Sequence, residues 1–247
     1  MLKALLVLAL LLAGCATAPK SPIKSAWVPD AAWWSSASAN GGILRTKENA
    51  IRHVNPAHAK NLHEVHAALA RQSRMTATLA LVEADAPNAF ATSNQGTPVI
   101  AVSLDFLEAL GNDRDALAAT LGHELAHLYY SHGTARQERA SAAQGASHVI
   151  GTILGLAGVP LGGTIASVGV SAVTTSFSRD EEREADAKGL EWATAAGFNA
   201  CGSARTIRLF QSRGGGASIP FLSTHPGYEE RIERANATST RLTGRGC

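Results

Sequence analysis

Cysteine is nearly missing from this chain: three in 247 residues, too few for a scaffold built on disulfides. Net charge is also slight, at +2, which removes the electrostatic case for nucleic acid as a partner. From Ala140 to Ser178 there is no Asp, Glu, Lys or Arg at all. A charge-free stretch of that length has the composition of a transmembrane hairpin. Against that reading, Pro160, paired glycines and scattered Ser and Thr divide it into two short apolar pieces. The preferred expectation is a pair of small-residue helices or loops packed beside the helix that carries His123 and His127 and touching the membrane. What is present is a hydrophobic content of 45%, enough for one globular domain with or without a tail.

The N-terminus reads as a leader. Met1-Leu2-Lys3 is a short basic start, and Ala4 to Leu12 is an apolar run too short to span a bilayer comfortably. Leu12-Ala13-Gly14-Cys15 resembles a bacterial lipobox, which implies cleavage to leave Cys15 as a lipidated first residue. Ala16 follows where an Asp would divert sorting, so the resemblance implies the outer membrane, facing the periplasm. An exported chain is permitted a Cys201–Cys247 disulfide. The expected layout is a signal peptide over 1–14, a lipid-anchored tether over 15–45, a folded domain over 46–236 and a loose polar tail over 237–247. Trp27, Trp33 and Trp34 fall in the tether, where they either hold it against the bilayer or pack back onto the domain.

Chemistry concentrates in His123-Glu124-Leu125-Ala126-His127. Histidines at i and i+4 lie about 40° apart on a helix, so both rings can reach one ion. Imidazole suits zinc, and three protein ligands leave a fourth position for water. Glu124 sits roughly 100° round from His123, poorly placed as a ligand and well placed to take a proton from that water. Leu117, Leu121, Leu125 and Leu128 form a stripe on the opposite side. Ala119, Gly122 and Ala126 line a flank that admits a close neighbour. Asn112 or Asp113 supplies the N-cap. The expectation is a helix buried by its leucines, with its histidines facing a cleft.

Elsewhere the pattern predicts a helix from Asn55-Pro56 to about Arg74, with Leu62, Val65 and Leu69 inward and His58, His63 and His66 solvated. Thr76–Val82 and Thr97–Ser103 read as strands, with Asn88–Ala91 a third. A short helix over Ser103–Leu110 stops at Gly111, and Asn199–Gln211 is another helix. A strand edge beside a metal cleft can pair with an extended peptide. The class is α+β, predominantly helical.

A further ligand has to come from where acids are dense, in Ser178-Arg179-Asp180-Glu181-Glu182-Arg183-Glu184-Ala185-Asp186. Glu182 and Asp186 are i and i+4, so one can bind zinc while the other accepts a histidine's second N–H. By geometry alone Glu181 or Glu184 could stand in for Glu182. The helix macrodipole would also favour acids at such a start without any metal.

These segments together resemble the HtpX-like and prenyl-protease-like zinc metallopeptidases, a gluzincin family, and most closely a lipoprotein-type branch of the bacterial envelope. The likeness covers roughly residues 76–234. It rests on Asn88–Ala91, the metal helix, the Glu182-to-Asp186 segment, and Ser223-Thr224-His225-Pro226 with Arg231. It implies a zincin-like fold with a small sheet beside the metal helix and one Zn2+ per chain. The implied ligands are His123, His127 and Glu182, with Glu124 as base and Asp186 behind a ligand. His225 and Arg231 would line the site, and in some relatives the matching histidine approaches the open zinc position and holds the enzyme latent. The turn after the second strand departs from the family, with Ser103-Leu104-Asp105 where a glycine is common. A metzincin pattern fails, since it needs glycine and histidine where Tyr130 and Gly133 stand; His132 misses by one.

The resulting expectation is a zinc metalloendopeptidase hydrolysing unfolded or misassembled envelope proteins. Its rival is a latent, chaperone-like lipoprotein that binds unfolded chains.

Overall fold

A computed structural model describes residues 23–94, 96–135, 176–214 and 219–247. The leader, Cys15 and the charge-free stretch, apart from its last three residues, lie outside the described residues. Among those described, no helix is long and apolar enough to cross a membrane.

In chain order the elements are β1 (Ile23–Trp27), α1 (Ala31–Asn40), β2 (Gly42–Arg45), β3 (Ile51–Val54), α2 (Pro56–Ser73), β4 (Thr78–Ala84), β5 (Ala89–Asn94) and β6 (Thr97–Ser103). Six helices follow: α3 (Leu104–Leu110), α4 (Arg114–Tyr129), α5 (Arg179–Ala195), α6 (Cys201–Ser212), α7 (Pro220–Thr224) and α8 (Tyr228–Thr243). This is the mostly helical α+β arrangement that the pattern predicts.

Four strands form one sheet in the order β1-β4-β6-β5, and β2 and β3 form a separate hairpin. Within the sheet β4 and β6 run parallel, while β1 and β5 are antiparallel to their neighbours. Alternation then sorts the side chains: Leu79, Leu81, Ile100 and Val102 join the main core, and Ala80, Val82, Val99 and Ala101 face the other way. The edge strand β5 packs beside α4.

Helix α4 is the axis of the domain. It packs against α2, α5, α6 and β5 and is buried on all sides from Ala116 to His127. Leu121 and Leu125 are fully buried, each burial contributing about 2 kcal/mol. Behind them Phe106, Phe210 and Phe221 cluster with ring centroids 5.0–5.9 Å apart.

Both expected domain boundaries need correction. Residues 23–45 are no tether: β1 pairs with β4, and α1 packs on α2. The tryptophans pack back onto the domain. Trp27 is buried and donates from Nε1 to the Arg45 carbonyl at 2.8 Å, and Trp34 stacks on His63 at 5.5 Å. Indoles bury more apolar area than any other side chain, which draws an Ala- and Ser-rich segment inward. His58, His63 and His66 are half-buried and not solvated, His63 through that stacking on Trp34. The tail is likewise integrated. Helix α8 continues to Thr243 with Ser239 buried, and Cys247 is disulfide-bonded to Cys201 at the start of α6.

Candidate metal centre

Two helix starts set the site. Asp113 caps α4, accepting from the Ala116 N–H at 2.9 Å, and Arg205 of α6 grips the same carboxylate at 2.6 and 2.8 Å. At α5, Ser178 and Glu181 form a reciprocal capping box, with bonds of 3.3 and 2.8 Å. Glu181 is therefore spent on the cap, and Glu184 lies at the surface. Glu182 and Asp186, one turn apart, are the acids that face α4.

The helices meet at glycines. A Cβ on Gly122 would stand 2.6 Å from the Gly189 carbonyl oxygen, so only hydrogen atoms fit between them there. This is the close approach expected along the Gly122 flank. It lets a carboxylate from α5 reach the α4 imidazoles.

The donor atoms converge. Nε2 of His123 and Nε2 of His127 are 3.0 Å apart. His127 Nε2 lies 3.4 Å from Glu182 Oε1, and His123 Nε2 lies 3.5 Å from Glu182 Oε2. A tetrahedral zinc with bonds of 2.0–2.1 Å puts its ligand atoms about 3.3 Å from one another, so the three side chains fit that ion. His225, on the turn between α7 and α8, completes the cluster. Its Nδ1 is 3.1 Å from His123 Nε2 and 2.9 Å from Glu182 Oε1. All four ligand atoms lie within 4.8 Å of one another. Among the described residues no second cluster of this kind exists.

Buried charge here is compensated residue by residue. Asp186 accepts from His123 Nδ1 at 2.8 Å and takes Arg231 bidentately at 2.8 and 2.9 Å. Burial alone would raise the Asp186 carboxyl; Arg231 and His123 instead hold it down to about 2. Arg231 also pairs with Glu182 Oε2 at 3.0 Å, although that oxygen has no well-directed hydrogen bond. Against its own burial, Glu182 is held well below the usual carboxylate range by His225, Arg231 and His123. Burial, reinforced by His123, pushes His127 well below the ordinary imidazole value, which favours the neutral, ligating form.

Glu124 is treated differently. It is 1% exposed, and burial raises its carboxyl, opposed by His225 and His123 and by the backbone N–H of Ala91 on β5. Its Oε1 has no hydrogen bond, and His225 Nε2 stands 3.4 Å away. A raised carboxyl with one unengaged oxygen beside the ligand cluster is the electrostatic arrangement of a general base.

The expected open cleft is closed in this structure. His123, His127 and His225 are 3%, 2% and 1% exposed. Phe177 stacks on His127 at 3.8 Å and on His225 at 5.1 Å, covering the rings. Phe177 stands directly before the Ser178 cap of α5, and no local sequence signal marks it out, since the residue one turn on is Glu182 and not an apolar partner. The sequence reading set His132 aside for missing the metzincin spacing, yet His132 Nδ1 lies 2.9 Å from His127 Nδ1.

The geometry defines a class: a zinc metallopeptidase whose third ligand is a glutamate carried on a second helix. Comparison with known proteins agrees, and the chain belongs to peptidase family M48, which it matches over residues 56–239. It is similar to metalloprotease YcaL of Escherichia coli (strain K12), with 26% identity over 146 residues, 59% of this chain and 56% of that protein. It is also similar to the protease HtpX homologs of Desulfatibacillum aliphaticivorans and Aquifex aeolicus (strain VF5). The former is 28% identical over 86% of this chain and 78% of its own length, the latter 28% over 75% and 74%. The chain thus spans little more than half the length of YcaL.

Proposed function

We propose that the protein is a zinc-dependent endopeptidase of the bacterial cell envelope that hydrolyses peptide bonds of unfolded or misassembled envelope proteins. The observation that carries the peptidase reading is Glu124: a buried carboxylate oxygen with no hydrogen bond, aimed at a cluster whose spacing fits zinc. Zinc, when bound, would polarise the scissile carbonyl and acidify a water. Glu124 would accept a proton at Oε1 from the attacking water and return it to the leaving amine, its raised pKa suiting both transfers. His123, His127 and Glu182 hold the metal, Asp186 orients His123, and Arg231 neutralises the two acids of α5. The outer edge of β5, which no described strand pairs and which reaches Glu124 through Ala91, offers an extended substrate a strand to pair with.

Localisation rests on two supports. The leader with its lipobox-like Leu12–Cys15 would export the chain and anchor it through Cys15, outer membrane and periplasm-facing by its Ala16. A Cys201–Cys247 disulfide suits an oxidising compartment. In that compartment, unfolded polypeptides are the substrates an anchored peptidase would meet.

A second reading is favoured by His225. Its Nδ1 stands at the fourth corner, where the attacking water belongs, so the closed form is latent, and in that form the protein would only bind unfolded chains.

The test compares wild type with Glu124→Gln, measuring zinc per chain and cleavage of an unfolded protein. Zinc near one in both with cleavage by wild type alone is the expected result. Zinc in both without cleavage favours the latent reading. Absence of zinc from both overturns the proposal.

A further inference from the structure

A zinc-bound imidazole uses one nitrogen for the metal, and its other N–H needs an acceptor that fixes tautomer and ring plane. For His123 that acceptor is Asp186. Among the described residues His127 has no carboxylate in this role. Its Nδ1 instead faces Nδ1 of His132 at 2.9 Å, and Nε2 of His132 reaches Glu184 Oε2 at 3.1 Å.

One proton assignment satisfies the whole run. With His127 Nε2 turned to the ligand cluster, its Nδ1–H donates to His132 Nδ1, and the Nε2–H of His132 donates to Glu184. Neither histidine is left with two facing donors or two facing acceptors.

The backbone is shaped to deliver this contact. Ser131, directly after α4 and its cap, adopts the left-handed conformation at φ 58°, which turns the chain so that His132 folds back over the helix end. For a residue with a Cβ this costs about 1 kcal/mol and persists where surrounding contacts hold it. His132 is 5% exposed, and the Tyr130 ring stacks on it at 5.3 Å and 16°.

We propose that His132 is a positioning residue for the metal ligand His127, holding its imidazole as an Nε2 donor through a relay that ends on Glu184. The inference rests on the zinc reading above. It makes the two histidine ligands unequal. His123 is oriented by a buried carboxylate already paired with Arg231, and His127 by a second imidazole backed by a surface acid whose side chain is 58% exposed. His127 is then the ligand whose orientation a surface substitution can loosen.

The experiment measures the zinc dissociation constant of the purified protein by competition with a chromophoric chelator, together with the visible spectrum of the cobalt-loaded form. His132→Leu should weaken zinc about 10–100-fold and alter the cobalt spectrum. His132→Asn, whose Oδ1 can accept where Nδ1 did, should restore most of the affinity. Glu184→Ala, at an exposed position, should lose a smaller factor. Wild-type affinity in His132→Leu overturns the proposal, and so does a loss that His132→Asn fails to restore. If His132→Leu does not fold, His132→Gln, with its acceptor at the wrong reach, takes its place with the same two outcomes. A wild-type protein that binds no zinc, or whose zinc survives His127→Ala, overturns the zinc reading instead.

Discussion

Gly122 of α4 and Gly189 of α5 meet with no side chain between them: a Cβ on Gly189 would stand 2.5 Å from the His123 backbone nitrogen. The helix bearing two ligands and the helix bearing the third are thus locked at the residue beside the first histidine. Gly122→Ala should force the helices apart, at a cost of about 1–3 kcal/mol or more in stability. It should also lower zinc occupancy, because Glu182 would be carried away from both rings. Thermal unfolding and zinc content check this. Gly133→Ala, where an added Cβ meets nothing within 4 Å, is the control and should change stability by less than about 0.5 kcal/mol.

Arg231 is the counter-charge for two buried acids. Removing it as Arg231→Met would leave Asp186 and Glu182 without their cation, an expected loss of about 3–5 kcal/mol. Arg231→Lys should recover little, since an ammonium cannot reproduce the bidentate fork on Asp186. Denaturant unfolding of the zinc-free proteins separates the two variants.

His225 stands within 3.1 Å of His123 Nε2 and 2.9 Å of Glu182 Oε1, which the latent reading takes as a block on the attacking water. His225→Ala should keep zinc, which retains three ligands, and raise cleavage of an unfolded protein. If the open form is about a tenth of the population, the gain is about tenfold. A loss of cleavage at full zinc occupancy would make His225 a participant in the reaction and not a latch.

Asp113 ties the start of α4 to α6, and Arg205 beside it holds its carboxyl below the ordinary 3.8 against a lesser opposing effect of burial. A lowered folded-state value means the stabilisation is complete above about pH 4 and disappears as pH falls through that value. Asp113→Asn keeps a capping oxygen but not the charge. Its unfolding free energy should therefore lie below that of wild type at neutral pH and converge with it as the medium is acidified below pH 3.8. Parallel curves down to pH 2 would contradict the assignment.

Much of the site could be read from the chain because its signals are local. His123, Glu124 and His127 share one turn and a half of helix, the Asp113 cap and the leucine stripe flank it, and Glu182 and Asp186 repeat the same i, i+4 logic. Helix periodicity and capping chemistry act over three or four residues, so they are written in adjacent letters. Family likeness, not spacing, singled out Glu182 from Glu181 and Glu184 and pointed to His225 and Arg231.

Tertiary structure decided the rest. Only the folded chain turns Glu181 to its cap and Glu184 outward to His132, or sets His225 against His123 across 102 residues of sequence. The same holds for the N-terminal segment, whose Ala, Ser and Pro read as a tether until β4 supplies a strand for β1 and α2 a face for Trp34. Contacts of that kind are selected by the surface that another element presents, and no periodicity in either partner announces them. The sequence by itself determined which residues could bind and activate; the packing of α5 and α6 on α4, with His225 and Arg231 brought to His123 from beyond them, determined which of them meet, and that they meet sealed from solvent.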